Sequence, residues 1–430
     1  MHASRRSLRV PIVLFLLVFA VDFFHGITTS YDSRFVCHVA MSIWRRGTTE
    51  LDPYLEGKTL GPKDVSVDWV DGHARSYFPI GTPLVALPFV AGADVLLAHI
   101  LPFTIGPTTT TFDLDQYMKL GTPVGLERFI AAVVVAACTV VVLAVATQVT
   151  RRRKIAVLAA LIFAFATPAW STASRALWQH GPSMLALSVA LLLLLKAREE
   201  PRWAAWAGPV LAFSYVIRPT NSVSIVVFGL WVGLRHRDQL GRFLAGAALV
   251  AVPFVAWSLS LYHSVLPPYN RAGQIGLHSA ALAGIVGNWI APSRGVLVFS
   301  PVFLFSIHGL AVAWRDPLAR VVALVILLHG VVIGLRDPWT AGYCFGPRYF
   351  SDMAPFFVYL LVFSLDAIAR SPGRGLAVAL FALATFGSVF VHHRGVTSWA
   401  VYNWCVEPDG IDEHQGRAWD PRDMQFLRRS

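Results

Sequence analysis

Residues 83–100 read PLVALPFVAGADVLLAHI, and whether they cross a membrane sets which way every later loop faces. About 20 apolar residues cover the hydrocarbon core, so the stretch is nearly long enough to span. Pro88, Gly92 and Asp94 interrupt it, and the basic residues elsewhere settle the matter. With 83–100 left out of the count and the N-terminus cytoplasmic, the cytoplasmic segments carry 17 Lys or Arg and the short outer loops carry 6. With 83–100 counted as a span, the tally becomes 9 inside against 14 outside. Positive charge favours the cytoplasmic side. The stretch therefore reads as a helix lying at, or dipping into, the outer face.

Eleven spans remain, near 10–26, 126–149, 155–170, 182–196, 203–217, 222–234, 243–262, 295–314, 319–335, 353–369 and 375–391. Composition agrees: 55% of the 430 residues are apolar and only 14% are charged, about half the charged share of an ordinary soluble domain. This is the profile of an all-α polytopic membrane protein, one membrane-embedded domain over 1–430. It excludes disorder, a secreted disulfide scaffold and a cytosolic enzyme. Arg5, Arg6 and Arg9 precede the first apolar run as in a signal peptide, yet no small-residue cleavage site follows. An uncleaved first helix is expected.

The formal charge of +11 is carried almost entirely by arginine in short clusters between apolar runs. Such clusters orient the chain and meet anionic head groups, so membrane lipids are expected partners and nucleic acid is not. Four cysteines are too few for a disulfide framework. Cys37, Cys344 and Cys405 fall on the outer side, and nothing in the sequence selects a pair among them.

Three pieces collect outside. The first loop, 27–125, opens with an amphipathic helix over 31–46 that Gly47 stops, followed by strands 65–70 and 73–78 around Asp71-Gly72, a strong hairpin signal. Residues 102–123, rich in Thr, Pro and Gly, read as a flexible loop. The second piece is 263–294, and the third is 336–349, RDPWTAGYCFGPRY. The short tail 392–430, with six acids and five arginines, fits the same side.

Charged groups at helix ends are the functional candidates, because intramembrane charge is costly. Asp32 follows the first span closely. It suits an N-cap for a helix beginning at Ser33, and equally a general base taking a proton from an acceptor hydroxyl. Asp52, with Glu50, is a candidate second acidic site or divalent-metal ligand, set against a solvated loop. Arg348 opens a helix after Gly346-Pro347, where a cation opposes the helix dipole unless an anion joins it. Asp352 in the same turn offsets part of that conflict. Arg218-Pro219 repeats the theme, and His180 in Trp178-Gln179-His180 is a candidate phosphate contact or a structural histidine. Aromatic residues including Tyr77, Tyr343 and Tyr349 fall near the outer boundary. They suit the interfacial belt, and some of them a sugar ring.

Several motifs together resemble the GT-C superfamily of membrane glycosyltransferases, within it the protein O-mannosyltransferase and aminoarabinose-transferase branch. They are Tyr31-Asp32-Ser33-Arg34, Asp52-Pro53-Tyr54, Tyr77-Phe78-Pro79-Ile80-Gly81, Trp178-Gln179-His180, Arg218-Pro219, Gly346-Pro347-Arg348-Tyr349 and Arg417-Ala418-Trp419-Asp420. The resemblance implies a bacterial cell-envelope enzyme of the plasma (inner) membrane. It would move a hexosyl or pentosyl unit on the exoplasmic face from a polyprenyl-phosphate sugar to a glycan, lipid or protein acceptor. It makes Asp32 the catalytic carboxylate, with Arg218, Arg348 and His180 toward the donor phosphate. Arg34, Asp52, Tyr77, Tyr343 and Tyr349 are then expected around the substrates. Two features depart from the family: Phe78-Pro79 stands where aminoarabinose transferases have lysine-proline, and no large soluble domain follows the last helix. The competing reading is a polytopic transporter or lipid flippase.

Overall fold

A computed structural model describes residues 2–29, 31–57, 66–100, 103–105, 108–110, 112–271 and 275–429. The protein is an all-α polytopic membrane protein. Helix α1 (His2–Phe24) is followed by a compact set of short elements: α2 (Val36–Arg46), α3 (Asp52–Leu55), the hairpin β1 (Val67–Val70) and β2 (His73–Ser76), α4 (Gly81–Val95), the hairpin β3 (Phe103–Ile105) and β4 (Thr108–Thr110), and α5 (Leu114–Leu120). A run of long apolar helices then follows: α6 (Val124–Val149), α7 (Arg153–Phe165), α8 (His180–Lys196), α9 (Trp203–Ile217), α10 (Ser222–Arg235) and α11 (Arg237–Tyr262). After α12 (Ala281–Ile290) come α13 (Val296–Phe299), α14 (Leu304–Val312), α15 (Pro317–Gly334), α16 (Ala354–Arg370), α17 (Gly375–Thr397) and the short α18 (Ala400–Asn403).

Each of the eleven expected spans overlaps helix, and six helices among the described residues, Gly81–His99 included, are long and apolar enough by themselves to cross a membrane. The segment expected over 295–314 is broken between α13 and α14, where Pro301 cannot donate to the helical ladder and starts a 3-10 turn. Other expectations need correction. The helix expected from residue 31 begins only at Val36, because 32–35 form a turn and Phe35 occupies the N-cap. Residues 102–123, expected as a flexible loop, contain α5, which Asp113 caps by accepting from the Asp115 and Gln116 backbone N–H groups. Loop 263–294 likewise contains α12, apolar but for Asn288 and packed on α15. The Asp71-Gly72 hairpin forms as expected, with φ of 51° and 83° at its two corner residues, the positive pair that a tight hairpin turn requires. Residue 65, expected in its first strand, lies outside the described residues.

The bundle core runs through α6, α7, α8, α15 and α16 and is made of Ala, Val, Leu and Phe. Close approach replaces bulk at some crossings. A Cβ on Gly309 would meet the Leu360 carbonyl at 1.9 Å, so α14 and α16 touch backbone to backbone, the packing mode of helices in lipid. A second cluster joins α2, α3, α4 and α5 to the end of α6. Within it Arg45 pairs with Asp94 at 2.6 Å and Tyr54 donates to Asp115 at 2.5 Å. That explains the acid inside the apolar 83–100 stretch: it locks α4 onto α2. Helices α11 and α17 show broad apolar flanks, with Leu249, Leu383 and Phe386 all mostly exposed, as lipid-facing helices must.

Candidate functional site

The end of α1 is threaded through the molecule before it releases Asp32. Asp22 and Arg175 are both fully buried, 3.4 Å apart, and Arg175 also donates to the His25 carbonyl at 2.6 Å. Ile27 donates to the Val396 carbonyl and Thr29 to that of Arg175. This anchoring delivers residues 31–35 as a turn against the start of α8 and the segment before α16. A cavity of about 510 Å³ opens there, large enough for a small polar ligand.

Asp32, Tyr77, His180, Arg218, Arg348 and Tyr349 line that one cavity. Six of the nine residues singled out from sequence are thus brought together from five separate segments. Asp32 caps no helix. Its Oδ2 accepts from Arg348 Nη1 at 2.7 Å, and its side chain keeps 29% exposure toward the cavity. Arg348 lies beside two rings, its guanidinium carbon 4.7 Å from the Trp178 centroid and 5.7 Å from that of Tyr349, both within cation–π range. Trp178 is fixed in turn by donating to the Thr29 carbonyl at 3.1 Å. Gly346, at φ +60°, makes the bend that turns Arg348 inward, with the Phe299 ring too close to admit a Cβ.

Arg218 is held differently. Its Nε lies 2.7 Å from Asp352 Oδ2, and His180 stands 3.4 Å from the other carboxylate oxygen and 3.2 Å from Arg218 Nη1. Asp352 is fully buried. A buried guanidinium needs such a partner, since an unpaired charge there is severely destabilising. The Tyr349 ring also stands within 5.2 Å of Arg336 and 6.0 Å of Arg218, so three guanidinium groups surround one aromatic face. His329 fixes the Tyr349 backbone through a 2.9 Å contact to its carbonyl. Tyr77 meets Tyr269 edge-on at 5.4 Å. Burial, reinforced by Tyr269, pushes the Tyr77 phenol above its ordinary pKa, so it presents a neutral hydroxyl.

Three expected residues lie outside the lining. Arg34 turns to Ser66 and stacks on Phe35 at 4.8 Å. Tyr343 packs against Tyr402 and reaches Asn403. Asp52 accepts from the Ala74 backbone N–H and meets His73 Nδ1, each at 2.8 Å, which pins the hairpin to α3. Partial burial opposes ionisation of Asp52, but these two partners outweigh it and hold the carboxyl below its usual pKa. Ligand atoms of Glu50, Asp52 and His73 do lie within 4.8 Å of one another. Each is engaged inside the protein, Glu50 with Arg75 at 3.0 Å, so the donor set fits a hydrogen-bonded brace better than a cation centre.

Sequence reading missed Arg336, Tyr269 and Gln179 as lining residues, and Asp352 as the partner of Arg218. Gln179 sits beside His180 in a motif already noted, whereas Arg336, Tyr269 and Asp352 lie in the outer segments without a local signal that singles them out. The tail was also underestimated. Gln425 is fully buried, donates to the Cys344 and Val401 carbonyls at 2.7 and 2.8 Å, and accepts from Gly346 N–H and Arg294 at 2.9 and 2.7 Å. It holds the Gly346-Pro347-Arg348 bend. Cys344 and Cys405 meet in the same cluster, Cys405 Sγ lying 3.1 Å from the Cys344 carbonyl, whereas Cys37 belongs to the α2 cluster far from both.

An apolar groove lies close to the cavity. Past Ser76, Phe78 and Pro83 the cavity adjoins a slot of about 10 Å³ lined also by Arg75, Ile80 and Trp257. These last three residues border an apolar groove of about 600 Å³ beside α9 and α11, walled by Phe213, Pro253 and Phe254. A polar, arginine-rich chamber and a hydrocarbon-lined groove are thus near neighbours, separated by a few shared side chains.

No family model matches the chain, and no curated protein matches it. Among solved structures, the crystal structure of ArnT from Cupriavidus metallidurans bound to undecaprenyl phosphate is similar over 92% of this chain and 68% of that one, at 14% identity and a TM-score of 0.51. The likeness is one of fold, and it supports the GT-C architecture expected from the sequence.

Proposed function

We propose that this protein transfers a sugar from a polyprenyl-phosphate donor to an acceptor hydroxyl. The observation that carries this reading is a carboxylate and three arginines lining one chamber, with an apolar groove close by. A lipid carrying a sugar phosphate has the same division, an anionic head on a hydrocarbon tail. The likeness of fold to ArnT, whose structure holds undecaprenyl phosphate, supports the same donor class. Charge supports it too. Among the described residues, Arg218, Arg336 and Arg348 face Asp32 in the lining with Asp352 behind, an excess of one positive charge. A phosphodiester between lipid and sugar carries one negative charge.

The chemistry then needs few groups. Asp32 takes the proton of the acceptor hydroxyl as its oxygen attacks the anomeric carbon. The carbon–oxygen bond to phosphate breaks, and its electron pair leaves with the polyprenyl phosphate. Arg218, Arg336 and Arg348 receive that growing charge, the preorganised stabilisation that dominates such steps. Attack opposite the departing phosphate inverts the anomeric centre. Tyr77, Tyr269, Tyr349 and Gln179 supply ring faces and hydrogen bonds for the sugar. The active chamber faces the exoplasm of a bacterial inner membrane, and the acceptor is a glycan, lipid or protein reaching it from that side.

A transporter would place its charges near the middle of broken helices. The buried pairs Asp22–Arg175 and Asp352–Arg218 instead sit at helix ends beside the chamber. The test is Asp32→Asn in purified protein. Transfer should fall by about 10²-fold or more, the usual worth of a general base, while a polyprenyl phosphate still binds. Undiminished transfer would remove Asp32 from the reaction.

A further inference from the structure

We propose that Asp32 and the donor phosphate compete for the same guanidinium, Arg348, so that arrival of the donor releases the base. The inference rests on the function proposed above and adds an order of events to it. In the structure the base is occupied: Asp32 Oδ2 accepts from Arg348 Nη1 at 2.7 Å. The bond holds one carboxylate oxygen against the guanidinium, while Oδ1 keeps its own lone pairs. An anion that takes Arg348 frees the whole carboxylate to turn toward an acceptor.

Arg218 and Arg348 differ in how firmly their carboxylate partners are held. Arg218 is bound to Asp352, which is fully buried and also meets His180. Asp352 is closed off, so an anion in the cavity cannot approach it. Arg348 is bound to a carboxylate on the cavity wall, 29% exposed, so an entering anion can approach the same bond. The Trp178 and Tyr349 rings both stand within cation–π range of the guanidinium. Gly346 and Gln425 fix the backbone behind it. Arg348 can therefore exchange partners by a small turn of its fork, without leaving its place.

A full cycle follows. The donor phosphodiester takes Arg348 and frees Asp32. Asp32 then removes the acceptor proton as the glycosidic bond forms, and the departing polyprenyl phosphate gains a second negative charge. The protonated Asp32 has no claim on Arg348 while that product is bound. Loss of its proton to water restores the carboxylate, which reclaims Arg348 and helps expel the lipid phosphate. Donor arrival and release of the base are thereby linked in one exchange of partners.

The experiment measures farnesyl phosphate binding to the purified full-length chain in detergent. Asp32→Asn removes the competitor, so this variant, inactive in transfer, should bind the probe roughly ten-fold more tightly than wild type, in line with one lost charge-assisted bond. Asp32→Ala should do the same. Arg348→Gln should weaken binding, and adding Asp32→Asn to it should change affinity less than two-fold. Equal gains from Asp32→Asn with and without Arg348 would mean a general charge effect and overturn the competition alone. An unchanged or weaker affinity in Asp32→Asn would overturn it as well. A wild-type protein that does not bind farnesyl phosphate would overturn both this inference and the proposed donor class.

Discussion

Asp352 shows how much rests on one side chain. It lies fully buried beneath the cavity, facing Arg218 and His180, and touches no solvent. Asp352→Asn keeps the shape and removes the charge, leaving Arg218 as an uncompensated buried cation. Breaking a buried pair by neutralising one partner costs about 3–5 kcal/mol. Thermal unfolding should show a large drop in midpoint for this variant, and farnesyl phosphate affinity should fall because Arg218 is no longer aimed. A midpoint equal to wild type would mean that Arg218 has another partner. Asp32 and Asp352 are both acids next to arginines, and only burial separates their roles. Sequence alone identified Asp32 and read Asp352 as a minor balance to a helix dipole. The reason is distance: Arg218 lies 134 positions before Asp352 and meets it only after α9 and α16 have been packed into one bundle.

Among the elements, the tail carries more of the site than its length suggests. Gln425 sits in a short 3-10 turn near the chain end, yet its amide makes five hydrogen bonds, one of them to the Gly346 N–H that begins the bend before Arg348. Gln425→Ala leaves Arg294 and the Gly346 N–H short of partners in a buried place, at about 1–3 kcal/mol for each unsatisfied group. The variant should unfold at lower temperature and bind farnesyl phosphate more weakly, although Gln425 never lines the cavity. Unchanged affinity in a destabilised variant would show that the bend holds itself. The first loop is the opposite case, since its parts were largely visible beforehand. Helix α2 with its Gly47 stop, the Asp71-Gly72 hairpin and the helix over 83–100 follow from local pattern and turn chemistry. The start of α2 was misplaced because Asp32 looked like a cap until Arg348 was seen to hold it.

For the whole molecule, sidedness is an expectation drawn from loop charge. The expected arrangement puts the first loop and the cavity on one side and the Arg151–Lys154 cluster on the other. The four native cysteines are buried, so single introduced cysteines report cleanly. Glu56→Cys should react with a membrane-impermeant maleimide in intact cells, and Arg151→Cys only after permeabilisation, both being exposed positions. Equal labelling of both from outside, or the reverse pattern, would refute the exoplasmic assignment and move the proposed acceptor to the other compartment.

Length and apolar runs determined by themselves that this is a many-helix membrane protein, since each apolar helix is a local property of about twenty residues. Motif resemblance added six residues that do share a cavity. What only the tertiary structure decided is how they are connected: Asp32 tied to Arg348, Arg218 backed by Asp352, Arg336 and Tyr269 completing the wall, and Gln425 holding the bend. Those contacts join positions up to 316 residues apart. No local pattern encodes them, because they exist only where packed helices and an anchored loop bring distant polar groups together and exclude water around them.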